Sequence, residues 1–395
     1  MTNTHIGDLL PWAARQHPHA GIVLVSEEHE NDATLITYPQ LLEDARRILG
    51  GLRAAGHRPG RRVALALERP GDFIPVFWAC ILGGYIPFPL MPARQNPAQW
   101  SATLAYVDAL LDTPLLVTAD TLQTLRAAPA QDFECTAKLS DPALLMLLPE
   151  PADAPKAVVL SHANLLASMA SKAERLELTA ADVTLNWVPF NHGAALLETH
   201  LLPLYLGATQ VHSGPAAIFA NPLRLLHLVD RHRVSMTFAR NTVFAQIVAA
   251  LGSPEAAPLA VDLSCVRHIV SGGEPVVVET GRAFLERLSA CGLARTALRP
   301  AFGRPETCAG SIYSSEFPER DANREFASLG LPLPGLEMRV IDGELELRGP
   351  MVFSSYCNDA DATRAAFTAD GWFRTRTSGC IEDGRLRLVD PTKFE

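Results

Sequence analysis

From residue 21 to residue 302 the chain repeats one unit: a short, nearly continuous apolar run, then a longer stretch whose apolar residues recur every three to four positions. Strands buried on both faces read as continuous apolar runs, and helices lying on a sheet show the 3.6-residue period. That alternation predicts a parallel-sheet α/β architecture. Apolar runs at 21–26, 35–38, 63–67, 86–90 and 115–118 predict the first strands. The helix expected at 40–55 carries Leu41, Leu42, Ala45, Ile48, Leu49 and Leu52 on one face, with Pro39 in its first turn. The pattern resumes with strands at 144–148, 158–160, 183–187, 210–212, 235–238, 268–271 and 298–302. Helices are expected between them at 163–176, 194–206, 222–232, 242–251 and 276–291. Beyond about residue 327 the texture changes to short β runs at 338–341, 343–347, 372–375 and 385–389. Asp342-Gly343 and Asp383-Gly384 mark hairpin turns there. The expected fold is two stacked α/β sheet subdomains, residues 1–143 and 144–326, plus a small distorted β-barrel subdomain, residues 327–395.

One stretch, 144–166, combines strand, loop, lysine, strand and helix, an outline suited to a phosphate-bearing ligand. Its loop chemistry is wrong for that. A phosphate cradle needs glycines whose N–H groups point at the anion, together with hydroxyls and a cation. Here Pro149, Pro151 and Pro155 have no N–H to offer, and Glu150 and Asp153 are negative. A carboxylate about 4 Å from a phosphate charge costs about 4 kcal/mol at intermediate dielectric.

A net charge of −9 without a basic block argues against a nucleic-acid surface. Seven scattered cysteines with no paired spacing suggest reduced thiols and a cytoplasmic setting. The N-terminus shows no basic start followed by an apolar core, so no signal peptide is expected. Residues 73–91 are about as long as a bilayer span. Three prolines and Gly83-Gly84 interrupt them, which favours a buried helix, a turn and a buried strand over a membrane segment.

Seven motifs in register over the full length resemble the large N-terminal domain of the adenylate-forming superfamily. They are Leu35-Ile36-Thr37-Tyr38, Arg61-Arg62-Val63-Ala64, Pro155-Lys156 with Leu160-Ser161-His162-Ala163-Asn164, and Gly272-Gly273-Glu274. The others are Phe302-Gly303 with Glu306-Thr307, Gly343-Glu344-Leu345 with Arg348-Gly349-Pro350, and Gly371-Trp372-Phe373-Arg374-Thr375. Asn186 to His192, Thr237-Phe238-Ala239 and Ser271 to Glu274 look most like assembly-line acyl ligases. The resemblance implies ATP-dependent formation of an acyl-AMP, transfer to a thiol, and a small C-terminal lid that rotates between the two steps. The chain stops at Glu395, about where the hinge would fall, so the lid is expected to be absent.

Set against that family, the nucleotide site looks degenerate. Lys156 survives, but residues 148–153 and Ala157 replace glycines and hydroxyls. Phe302 and Gly303 would face adenine, and Glu306 and Thr307 would face phosphate and magnesium. Pro305 stands where a phosphate-binding threonine is expected. Thr377 replaces an aspartate that binds both ribose hydroxyls. Asp390 and Pro391 replace a Gly-Arg pair before Lys393. Gly272, Gly273 and Glu274 would form the wall between the nucleotide and acyl pockets. The acid side looks better kept, with Asn191, His192, Arg240, Asn241 and Gly272 as pocket candidates. His200, His227 and His232 read as ordinary helix-surface residues. No metal site is expected, apart from magnesium on Glu306 if ATP binds.

The expected function is that of an adenylation-like pseudoenzyme in a polyketide or peptide assembly line. It would use no cofactor and work with an acyl or peptidyl carrier protein and neighbouring synthase domains. Two alternatives stand beside it. One is an active ligase using ATP and magnesium. The other is an ATP-independent enzyme on carrier-bound acyl chains, with His192 and Glu306 as acid and base.

Overall fold

The computed structural model describes residues 5–28, 32–92, 96–133, 136–148, 156–253 and 259–389. The loop from Pro149 to Pro155 lies outside the described residues, as do Cys135, Asp390, Pro391 and Lys393. The largest sheet has nine strands. In order they are Leu331–Pro332, Ala309–Tyr313, Leu298–Arg304, His268–Ser271, Met236–Phe238, Val183–Asn186, Thr209–His212, Gly21–Val25 and Ala33–Thr37. From Leu298–Arg304 to Gly21–Val25 the strands run parallel, and antiparallel strands close both edges.

A second sheet pairs Ile86–Pro89, Arg62–Leu65 and Leu115–Val117 in parallel. Pro142–Leu147 and Ala157–Ser161 form an antiparallel ladder extended by Ser355–Tyr356. Glu337–Ile341, Glu344–Arg348, Phe373–Glu382 and Arg385–Leu388 make the curled antiparallel sheet expected at the end of the chain. The α/β class and the β-rich C-terminal part are as expected. The strands of the first 143 residues, however, divide between sheets. Gly21–Val25 and Ala33–Thr37 join the nine-stranded sheet through Thr209–His212. Apolar alternation identifies strands and leaves their partners open.

The membrane-length stretch resolves into the helix Pro70–Leu82, buried from Phe73 to Leu82, and the strand Ile86–Pro89. Among the described residues no helix is long and apolar enough to cross a membrane. The expected helix at 194–206 is π-helical over Ala194–Leu201 and α-helical over Leu202–Leu206. Pro203 cannot donate to the Thr199 carbonyl, and the Thr184 hydroxyl donates there instead, at 3.3 Å. π-Helical turns are rare and gather at functional sites.

The helix His162–Arg175 begins in a capping box, Ser161 with Asn164. The Asn164 amide also donates to the carbonyls of Pro350 and Val352, at 2.8 and 2.9 Å, fixing the helix to the segment before Tyr356. Asn164→Ala keeps the Ser161 cap but removes the reciprocal bond from the Ser161 N–H to Asn164 Oδ1 and both tethers. It is expected to lower unfolding free energy by about 2 kcal/mol, read from urea denaturation.

Candidate functional site

The end of the phosphate-like loop and the 302–307 segment meet at one aromatic ring. Lys156 Nζ sits 5.6 Å from the ring centroid of Tyr356. The Tyr356 hydroxyl donates to Glu306 Oε1 at 3.0 Å. Arg304 Nε donates to Glu306 Oε2 at 3.4 Å, and only 1% of the Glu306 side chain is exposed. Both carboxylate oxygens therefore already have partners within the chain. Tyr356 escaped the sequence reading because it lies 50 residues from Glu306; the signal it carried was an aromatic hydroxyl in a short β run.

Behind Glu306 the backbone is strained. Cys308 and Ala309 both adopt left-handed conformations, φ 56° and 67°. Such residues cost about 1–3 kcal/mol each and persist where their surroundings over-determine them. Thr307 is fully buried; its hydroxyl accepts from the Arg304 N–H at 3.1 Å and lies 3.1 Å from the Ala309 carbonyl. Gly303 has to be glycine, since a Cβ there would lie 2.1 Å from the Ala309 oxygen. Phe302, expected to face adenine, is instead fully buried in the main core. It lies on a strand interior, and apolar bulk there is consumed by packing.

On the acid side, Gly193 packs against the strained turn, its would-be Cβ 3.1 Å from Ala309 Cβ. His192 is therefore brought beside the 305–310 turn. Its ring lies 5.7 Å from that of Phe238, and its Nδ1 accepts from the Ala194 N–H at 3.2 Å, so any proton sits on Nε2. Burial, then the Arg240 charge, lowers the His192 pKa to about 4. His192 and Glu306 share no hydrogen bond, so the geometry does not couple them as acid and base. Asn191 and Arg240 are exposed.

Asn241 Oδ1 accepts from the Val277 N–H at 3.1 Å, and Glu274 Oε1 from the Thr242 N–H at 2.7 Å. These two bonds brace the 240–242 and 272–277 loops against each other. Gly272 is buried with its would-be Cβ 2.8 Å from the Ala301 carbonyl, and Gly273, exposed, has φ 76°. Beyond the 188–190 loop a cavity of about 830 Å³ opens, lined by Glu27, Arg69, Asp72, Gln99, Phe190 and Ser213 among others.

Thr377 lies apart, on the curled sheet. It is mostly buried; its hydroxyl is 3.3 Å from the Thr375 carbonyl and its N–H donates to Thr375 Oγ1 at 3.2 Å. A hydroxyl turned into its own strand does not fit a ribose diol, which a carboxylate would grip with two acceptors.

His200 corrects the surface assignment. It is fully buried, accepting from Trp78 Nε1 at 3.0 Å and lying 2.7 Å from Gln210 Oε1. Gln210 Nε2 in turn donates to the Tyr38 hydroxyl at 3.0 Å. Burial lowers the His200 pKa to about 4, and burial, with His200 beside it, holds His212 well below the ordinary histidine value. A polar residue on a helix gives no hint from periodicity that its partners lie on another helix and on a strand.

A family profile described as AMP-binding enzyme matches residues 10–145 and 154–357. The chain belongs to the AMP-binding enzyme family. Within that family it is 37% identical, over 91% of its length, to a nonribosomal peptide synthetase of Ascocoryne sarcoides, covering 42% of that protein. It is 34% identical, over 98% of its length, to the microperfuranone synthase of Emericella nidulans, covering 45%. The chain thus spans less than half the length of these relatives. Among solved structures it is similar to the McyG A-PCP protein complexed with phenylalanyl-adenylate (29% identity, TM-score 0.92, covering 98% of this chain and 66% of that one). It is also similar to the adenylation domain of a keto acid-selecting NRPS module bound to keto acyl adenylate (26% identity, TM-score 0.91, covering 98% and 80%).

Two outcomes follow from this geometry. A histidine whose folded pKa lies below its unfolded value of about 6.5 stabilises the fold fully above that value and loses the contribution as pH falls. Urea denaturation is expected to show stability declining between pH 6.5 and pH 4, by about 3 kcal/mol for His200 alone. His200→Gln should flatten that decline. Tyr356→Phe removes a hydrogen bond to a buried carboxylate and is expected to cost about 2 kcal/mol by the same measurement.

Proposed function

We propose that this chain is an adenylation-like domain of a nonribosomal-peptide-synthetase-like assembly line that no longer activates acids with ATP. It binds a carboxylic acid, or that acyl group on an acyl or peptidyl carrier protein, and holds it for neighbouring synthase domains. The observation that carries this reading is Thr377, buried and turned into its own strand at the position where the family resemblance implies a ribose-binding carboxylate. Glu306 supports it, since Tyr356 and Arg304 occupy both of its oxygens. The proline- and acid-rich sequence at 149–155 adds a third, independent departure.

The acid class follows from charge. Among residues 188–192, 238–242 and 271–277, Glu274 is the one carboxylate, and it is committed to the Thr242 N–H. An α-ammonium group placed there would be desolvated without an available counter-charge, a cost that a neutral 2-oxo group avoids. The likeness to a keto acid-selecting adenylation domain agrees with this choice. The likeness to an A-PCP protein supports a carrier as partner.

A second reading, an active adenylating ligase, is favoured by the convergence of Lys156 and Glu306 on Tyr356 and by 37% identity to a synthetase. Pyrophosphate exchange and calorimetry separate the two. Millimolar ATP is expected to give no binding heat, and a panel of 2-oxo and amino acids no exchange above background. Phenylpyruvate should bind at least about tenfold more tightly than phenylalanine, a difference near 1.4 kcal/mol, and His192→Ala should weaken it. Robust exchange with any acid sinks the proposal. Exchange restored by a glycine- and hydroxyl-rich replacement of residues 148–153 alone would show that Thr377 matters less than its geometry indicates.

A further inference from the structure

Three segments carry the candidate site residues, and each continues into an element that reaches one buried ion pair. Lys156 leads through Ser161 into the helix His162–Arg175, which bears Lys172. His192 leads into the π-helix Ala194–Leu201, which bears Glu198. Glu306 and Thr307 lead through the strained turn into the strand Ala309–Tyr313. Lys172 Nζ lies 3.7 Å from Glu198 Oε1, and the two side chains are 1% and 2% exposed.

We propose that Lys172 and Glu198 are positioning residues: their pair holds the left-handed Cys308–Ala309 turn and so fixes Glu306, Thr307 and His192 relative to one another. The left-handed turn takes the Cys308 carbonyl out of the strand ladder, where it needs another donor. Lys172 Nζ supplies one at 2.6 Å, reinforced by the Ser168 hydroxyl at 3.5 Å. Glu198 Oε1 accepts from the Gly310 N–H at 2.6 Å and the Tyr313 hydroxyl at 2.9 Å, closing the far side of the turn. Gly310 leaves no room for slack, because a Cβ there would lie 2.3 Å from Glu198 Oε1. Glu198 Oε2 is buried with no hydrogen-bond partner. A pair kept for stability alone is outperformed by apolar side chains of equal volume, above all when one carboxylate oxygen is unsatisfied. The geometry of this pair serves the turn, and through Gly193 against Ala309 it reaches His192.

The test uses the double variant Lys172→Met with Glu198→Gln, which removes both charges at nearly constant volume. The melting temperature is expected to stay within a few degrees of the parent's. Hydrogen exchange in peptides spanning 191–199 and 302–313 should rise about tenfold, while exchange in the curled sheet at 337–348 is unchanged. A folded double variant with unchanged exchange in both peptides overturns the proposal. If the double variant does not fold, Tyr313→Phe decides: it removes one bond to Glu198 and keeps the charges. A threefold or larger rise in exchange at 302–313 supports the proposal, and no rise overturns it. A second arm, phenylpyruvate affinity falling about tenfold in the variant, rests on the acid-binding reading above. If the parent protein binds no acid, that reading fails and the exchange arm still decides the positioning role.

Discussion

A buried charge pair imposes order on whatever surrounds it, because neither partner can turn toward water without loss. Lys172 and Glu198 sit where a helix, a π-helix and the strand next to one sheet edge meet. Burial lowers the Lys172 pKa, while the Glu198 charge opposes that shift. Burial together with Glu198 also raises the Tyr313 phenol, keeping it a neutral donor. The same burial pushes the Cys308 thiol up to about 12, so it stays protonated and unreactive beside the ammonium. Removing a single member of such a pair typically costs about 3–5 kcal/mol. That cost is the penalty of leaving the other charge buried and unpaired, so the two residues are retained or lost together.

The two halves of the candidate site differ in how their polar groups are satisfied. On the acid side the loops are intact, glycines stand where backbones touch, and polar side chains are committed to bracing. On the other side, polar groups are satisfied internally: the Glu306 carboxylate by Arg304 and Tyr356, the Thr377 hydroxyl by its own strand. Internal satisfaction of this kind is what the proposed loss of ATP use would require, since a buried unpaired carboxylate is costly.

Much of the fold was legible because strand burial and helix period are local properties of sequence. The helix His162–Arg175 and the strand His268–Ser271 appear within a residue of where their patterns place them. What was not legible depends on distance along the chain. The joining of Gly21–Val25 to Thr209–His212 is one case, since pairing leaves no local mark. His200 is another, a polar residue whose partners Trp78 and Gln210 come from elsewhere in the chain. At the candidate site, motif spacing singled out Lys156 and Glu306. The ring of Tyr356 between them, and the burial of Phe302, follow from packing that no spacing encodes.

The brace between the 240–242 and 272–277 loops bears on how selectivity can change over generations. Asn241 and Glu274 hold the two loops through backbone N–H groups, so their substitution disturbs both loops at once. Arg240, one residue away and facing solvent, sits on that rigid frame without carrying it. Variation at position 240 can therefore be explored with the scaffold undisturbed, which under the proposed acid-binding role makes it a position from which new acid preferences can evolve in small steps.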